Sequence, residues 1–111
     1  MGKMIDDRRR RPVQAIMYKA GTCVIQTVTS GAAFVFTPDL EGIAKIFAVR
    51  STARMRISAH SSAYTFTKDN EPVIDPAEEQ LFLLRPGIRD RITMQADTVN
   101  SSAVITEVED P

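Results

Sequence analysis

Cysteine, aromatic residues and glycine are all scarce in this 111-residue chain. A single cysteine, Cys23, forbids an intrachain disulfide, so an oxidising compartment did not shape the fold. One cysteine and one histidine cannot fill a structural zinc set of four without carboxylates, and no metal site is expected. There is no tryptophan, and aromatics make up only 6% of residues, which leaves few platforms for stacking on nucleic-acid bases. The five glycines are scattered at turns, so no Gly-rich phosphate cradle exists and no cofactor is expected. Apolar runs last only a few residues, too short to span a bilayer. The N-terminal MGKMIDDRRRRPVQ lacks the apolar core of a secretory signal. The expectation is a product assembled in a cytoplasm, with no membrane partner. Neither sign of charge is in excess, because 14 basic and 14 acidic residues give zero formal net charge. That balance argues against a domain built to grip nucleic acid. It also removes the self-repulsion that would oppose close homotypic assembly.

What is present suits one ordinary soluble domain, with 43% hydrophobic and 25% charged residues. A chain of this length can bury roughly two-thirds of its unfolded surface, enough for one core. Residues 1–12 stand apart. Asp6-Asp7 is followed by Arg8, Arg9, Arg10 and Arg11, then Pro12. Adjacent arginines repel, and Pro12 biases Arg11 away from helix, so an extended basic arm is expected before a single domain at 13–111.

From residue 13 the pattern becomes short runs rich in Val, Ile, Thr and aromatics. They are VQAIMY (13–18), TCVIQTV (22–28), AAFVFT (32–37), IAKIFAV (43–49), ARMRISA (53–59), AYTF (63–66), QLFLLR (80–85), DRITMQA (90–96) and SAVITEV (102–108). Turn formers separate them, among them Ser30-Gly31, Ser61-Ser62 and Pro86-Gly87. In 53–59, Met55 and Ile57 share one face while Arg54, Arg56 and Ser58 take the other; Ile92, Met94 and Ala96 likewise oppose Arg91, Thr93 and Gln95. Such alternation marks a sheet with one dry side. AAFVFT and LFLL are apolar on both faces, which predicts central strands or strands covered on both sides by a partner. The best helical candidate is PDLEGIAKIF (38–47), with Asp39 as N-cap, weakened by Gly42; DPAEEQ (75–80) suits one turn, with Asp75 capping and Pro76 in first position. The spacing of about eight strands predicts an all-β chain. Its form is an antiparallel β-sandwich or jelly-roll-like barrel, with an extended N-terminal arm. The expected core gathers around Phe34, Phe36, Phe47, Ile57, Phe66, Leu81, Leu83, Ile92 and Val104.

Residues that could do chemistry cluster in RMRISAHSSAYTFT (54–67), which holds the only histidine, His60. A Ser-His-Asp mechanism needs a carboxylate behind the base and a serine on a strained elbow, and the Gly-x-Ser-x-Gly elbow is absent. His60 reads instead as a solvated or interface residue where a strand ends. Nothing basic surrounds Cys23, which reads as a small buried hydrophobe. Glu71, Asp75, Glu78 and Glu79, and the later Glu107, Glu109 and Asp110, lack the spacing of a calcium loop and read as solvated charge. No catalytic residue is expected, and the chain reads as no enzyme. The arginines are the informative charges. Arg54, Arg56, Arg89 and Arg91 lie on or beside strands, and arginine is favoured in protein interfaces for its planar fork. With His60 and the arm residues Arg8–Arg11 they form the candidate contact surface.

The order of segments over 54–108 carries a resemblance. A strand (RMRISA) passes through a Ser/Ala turn to AYTF, then a polar loop (KDNEPVIDPAEEQ). An apolar strand ending in Pro-Gly (LFLLRPG), a strand preceded by Asp (RDRITM) and a closing SAVITEVED follow. This layout resembles small β-sandwich virion proteins of tailed bacteriophages, although Arg89-Asp90-Arg91-Ile92 stands where Gly-Asp is expected. The resemblance covers about half the chain and is an argument by analogy. It implies a capsid decoration (cement) protein, or another head–tail or tail structural component. Such a protein binds the major capsid protein or other virion proteins, forms homo-oligomers, resides in the virion and catalyses nothing. The competing expectation is an OB-like single-strand nucleic-acid binder.

Overall fold

The computed structural model describes residues 17–109. The expected strand at 13–18 lies partly outside this range, and the Arg8–Arg11 arm wholly so. Eight strands follow one another: β1 (Val24–Val28), β2 (Phe34–Phe36), β3 (Lys45–Ser51), β4 (Met55–His60), β5 (Val73–Ile74), β6 (Glu79–Leu84), β7 (Arg91–Ala96) and β8 (Ser101–Val108). They form two four-stranded antiparallel sheets, in the orders β1-β8-β3-β6 and β2-β7-β4-β5. Strand 1 thus pairs with 8, 2 with 7, 3 with 6 and 4 with 5. This is a long hairpin rolled up so that successive pairs alternate between sheets, the double Greek key of a jelly roll. The five-stranded OB barrel has a different pairing.

Alternation places the core. Met55 and Ile57 of β4 and Ile92, Met94 and Ala96 of β7 are fully buried, with Ile57 opposite Met94 in register. Phe47 and Val49 of β3, Phe82 and Leu84 of β6, and Ala103 and Ile105 of β8 meet them from the other sheet. Each large side chain here contributes about 1.5–3 kcal/mol by burial. Phe36 and Phe47 lock the two layers edge to face, with ring centroids 5.4 Å apart and planes at 78°.

Several expectations fail, each for a local reason. Leu81 and Leu83 point outward and Phe82 and Leu84 inward, because a strand apolar on both faces gives period two nothing to choose between. The same holds for Val104, which is half-buried on the outer face while Ala103 and Ile105 are in the core. β2 and β6 are both sheet edges and not central. AYTF is irregular, and Phe66 is half-buried outside the core cluster. β5 was hidden in the polar loop because it has only two residues. Cys23 is exposed, since it precedes an edge strand and shares the outward parity of Ile25.

The helical candidates become turns. Asp39 Oδ1 accepts the Glu41 amide (2.9 Å), and the Ile43 amide reaches the Leu40 carbonyl (3.0 Å) across Glu41 and Gly42, whose φ angles are 55° and 76°. Two positive φ values make this a type I′ turn, which Gly42 adopts without strain. At Asp75–Glu78 the Glu78 amide donates to the Asp75 carbonyl (3.1 Å), with Ala77 at φ 73°. Pro76 followed by a positive φ is a type II turn, which is incompatible with a helical turn.

One buried polar atom is unsatisfied among the described residues, Ser51 Oγ at the inward end of β3. A buried hydroxyl without a partner costs about 1–3 kcal/mol of desolvation. Ser51→Ala should therefore leave the fold intact and raise the denaturation midpoint, by about 1 kcal/mol in chemical unfolding. A loss of stability would mean that the hydroxyl has a partner in solution.

Candidate protein-interaction surface

The outer face of the β2-β7-β4-β5 sheet carries four of the five contact candidates that fall within the described residues. Register sets His60 opposite Arg91, Ser58 opposite Thr93 and Arg56 opposite Gln95. The arginines are largely answered within the chain. Arg54 Nε meets Asp75 Oδ1 at 2.7 Å, Arg56 Nε meets Asp97 Oδ1 at 3.1 Å, and Arg91 Nε meets Asp90 Oδ1 at 2.9 Å. Arg56 also donates through a terminal nitrogen to the Glu71 carbonyl (3.2 Å). The bond from Arg91 holds the Asp90 carboxyl below the usual range, although its partial burial acts the other way. Arg89, exposed in the β6–β7 turn, has no ion-pair partner among the described residues, and neither has Arg85. Four of the sequence candidates, Arg54, Arg56, His60 and Arg91, therefore share this sheet, while Arg89 sits at its border.

His60 is held at both ring nitrogens. Nδ1 lies 2.7 Å from the Ser61 carbonyl oxygen, and Nε2 lies 2.6 Å from Thr93 Oγ1. A carbonyl only accepts, so Nδ1 carries the proton, and the Thr93 hydroxyl can donate to Nε2 of the neutral ring. A catalytic triad would place a carboxylate at Nδ1, where this chain has a backbone oxygen. Thr93 is 2% exposed although it points outward, because the β4–β5 connection crosses the sheet here. Lys68 Nζ donates to the Ser30 carbonyl (3.4 Å), and the Tyr64 ring lies 5.1 Å from that of His60. A cleft of about 300 Å³ remains between this connection and the strands, lined by Val35, Tyr64, Phe66, Arg91 and Gln95 among others. Among the described residues no group of three or more His, Cys, Asp or Glu could hold a metal ion.

The connection is pinned by Glu71, a buried carboxylate that sequence reading took for solvated charge. Its Oε2 accepts the Tyr64 hydroxyl (2.6 Å) and the Thr67 amide (2.8 Å). Two donors converging on one oxygen are what allow a carboxylate to leave water. The Tyr64 pKa rises above 10.0, first through this hydrogen bond and then through burial and the carboxylate charge.

The opposite face, that of the β1-β8-β3-β6 sheet, differs in kind. Its outward rows, read across the register, are Tyr18–Val108–Ile46–Leu83, then Thr106–Ala48–Leu81, then Ile25–Val104–Arg50–Glu79, then the polar pair Thr27–Ser102. The only charges in these rows are Arg50 and Glu79, which face each other at 3.7 Å. Exposure is high for apolar side chains, at 71% for Ile25, 47% for Leu81 and 37% for Leu83. Tyr18 reaches over the face to donate to Glu79 Oε2 (2.6 Å), which raises its pKa above 10.0. At one end a cleft of about 490 Å³ is bordered by Ile43, Ile46 and Leu83, with Lys19 and Lys45 both near Glu107 (3.5 and 4.0 Å). The exposed apolar side chains lie on the two edge strands, Ile25 on β1 and Leu81 and Leu83 on β6, with half-buried Ile46 and Val104 and buried Ala48 between them. The signal was present in the sequence as Leu81 and Leu83, read there as core.

No protein-family model matches this chain, and no curated protein or solved structure matches it either.

The two tyrosines of the chain both donate to glutamates. A raised folded-state pKa favours the neutral phenol. The stability it contributes is fully present below the unfolded value of about 10 and is lost as pH rises through the folded value. In an alkaline titration read by tyrosinate absorbance, both groups should ionise later than free tyrosine. Glu71→Gln should bring one step back towards the ordinary value. Two unshifted steps in the unaltered chain would show that neither bond persists in solution.

Proposed function

We propose that this chain is a non-catalytic structural protein that works by docking on other proteins. Its most specific form is a capsid decoration or cement protein of a tailed bacteriophage. The observation that carries the reading is the exposed apolar outer face of the β1-β8-β3-β6 sheet, with Ile25, Leu81 and Leu83 open to solvent. Burying that face on a partner gains hydrophobic free energy at about 25 cal/mol per Å², and a stable interface needs more than roughly 1,000 Å² in total. The jelly-roll strand order supports the reading by analogy, because this architecture serves viral capsid and lectin domains. The layout of residues 54–108 supports it in the same way. The partner would be the major capsid protein or another virion protein, with the particle as the place of action. The opposite sheet contributes less, since Arg54, Arg56 and Arg91 are already paired within the chain.

Mass spectrometry of purified virions from the source phage should find peptides of this protein at near-stoichiometric ratio to capsid subunits. Ile25→Asp, which places a charge on the open face, should lower occupancy of the particle while the domain stays folded. Absence of the protein from virions overturns the reading, and recovery in tail fractions alone would move it from head to tail.

A further inference from the structure

We propose that β6 is the seam of a two-fold homodimer, in which two copies of this strand pair antiparallel through their free edges. The β1-β8-β3-β6 sheets of the two copies then continue into one another. The proposal concerns the edge of the sheet, where the proposed function concerns its face, and it goes beyond that reading without resting on it.

The four edge strands are not equivalent. β2 has three residues and β5 has two, short edges of the kind that resist pairing. β1 has five and β6 has six. Folded domains guard long edges with charge, proline or a bulge. The interior of β6, QLFLL, has neither charge nor proline, and β3 opposes it residue for residue without a bulge. A groove of about 330 Å³ runs along it, lined by Ile57, Ala59, Gln80 and Phe82 among others, and no described strand fills it.

The sequence of β6 also complements itself. Residues 79, 81 and 83 face outward, and 85 continues that parity: Glu, Leu, Leu, Arg. An antiparallel pair centred on Phe82 sets Leu81 against Leu83 of the second copy, twice, and Glu79 against Arg85, twice. Moving the centre to Leu81 or Leu83 would instead oppose Leu83 to Glu79, or Leu81 to Arg85, so the charges select the register. The side chains at both ends are available, while the Arg85 N–H and carbonyl are already bonded to the Arg89 carbonyl and N–H (2.8 and 3.0 Å), so this end of the seam rests on side-chain pairing alone. Arg85 and the neighbouring Arg89 have no ion-pair partner among the described residues. Glu79 uses Oε2 for both Tyr18 and Arg50, which leaves Oε1 for the incoming guanidinium. β1 lacks this directionality, because its flanking residues Thr22, Cys23, Thr29 and Ser30 carry no charge. The arrangement is isologous, as a closed two-fold dimer requires.

Sedimentation velocity with light scattering on the full chain tests the proposal. A seam this short buries less than a standard interface, so a dissociation constant on the order of micromolar is expected. Glu79→Lys alone and Arg85→Glu alone should each weaken self-association at least about tenfold. An equimolar mixture of the two variants should dimerise again, because each altered end then meets the opposite charge. Leu81→Lys, an edge guard at an exposed site, should give a folded monomer by circular dichroism. A wild-type chain still monomeric at about 1 mM, where even a millimolar pair is substantially formed, overturns the proposal. So does a dimer that ignores all three substitutions, which would place the contact on β1 or on the sheet face. Loss of virion binding with self-association intact would fault the proposed function and leave this inference standing.

Discussion

The pairing of β4 with β7 is the constraint from which the rest of the molecule follows. Six residues of each strand lie in register, from Met55 against Ala96 to His60 against Arg91. Every inward position of β7 and the first two of β4 are fully buried. A strand has only two faces, so once Met55, Ile57, Ile92, Met94 and Ala96 are committed inward, Arg56, Ser58, His60, Arg91, Thr93 and Gln95 must point outward. The second sheet exists to cover the dry face, and the rolled 1–8, 2–7, 3–6, 4–5 pairing is how one chain brings both sheets together with antiparallel neighbours throughout.

That single commitment makes the two outer faces unlike each other. The wet face of β4 and β7 is rich in arginine, but each arginine on it finds a carboxylate: Asp97 for Arg56 and Asp90 for Arg91. The β4–β5 connection then folds over part of this face, fixed by the Glu71–Tyr64 and Glu71–Thr67 bonds and by Lys68 on the Ser30 carbonyl. Among the described residues no connection crosses the outer face of the other sheet, although Tyr18 reaches over it to Glu79. Its outward rows are mostly apolar, and their charges, Arg50 and Glu79, pair with each other. Chemistry that looked available in the sequence is used internally, while the surface left open is hydrophobic. An interaction role draws its support from that contrast.

Clean alternation was legible without coordinates. ARMRISA and DRITMQA each have one apolar and one polar parity, and both their strand character and their buried faces were correctly assigned. The all-β class followed from nine short β-rich segments and the turns between them. Where both parities are apolar, as in QLFLLR and SAVITEV, period two loses its meaning, and Leu81, Leu83 and Val104 were placed on the wrong side. AYTF has strand composition but no neighbour to bond to, and Val73-Ile74 has a neighbour but too little length to be noticed. Burial of Glu71 was invisible, because it depends on Tyr64 and Thr67 being brought to the same oxygen.

The sequence by itself determined the class of fold and the inward faces of β4 and β7. Those are properties of residue type and spacing along the chain, and strand geometry translates them directly. Tertiary structure alone decided which strands became edges, which of two apolar faces stayed exposed, and whether an arginine was free or paired. Each depends on which segments, distant in sequence, come to lie side by side. The apolar face of β6 is open for that reason: its chemistry was written in LFLL, but its exposure follows from β6 lying last in its sheet.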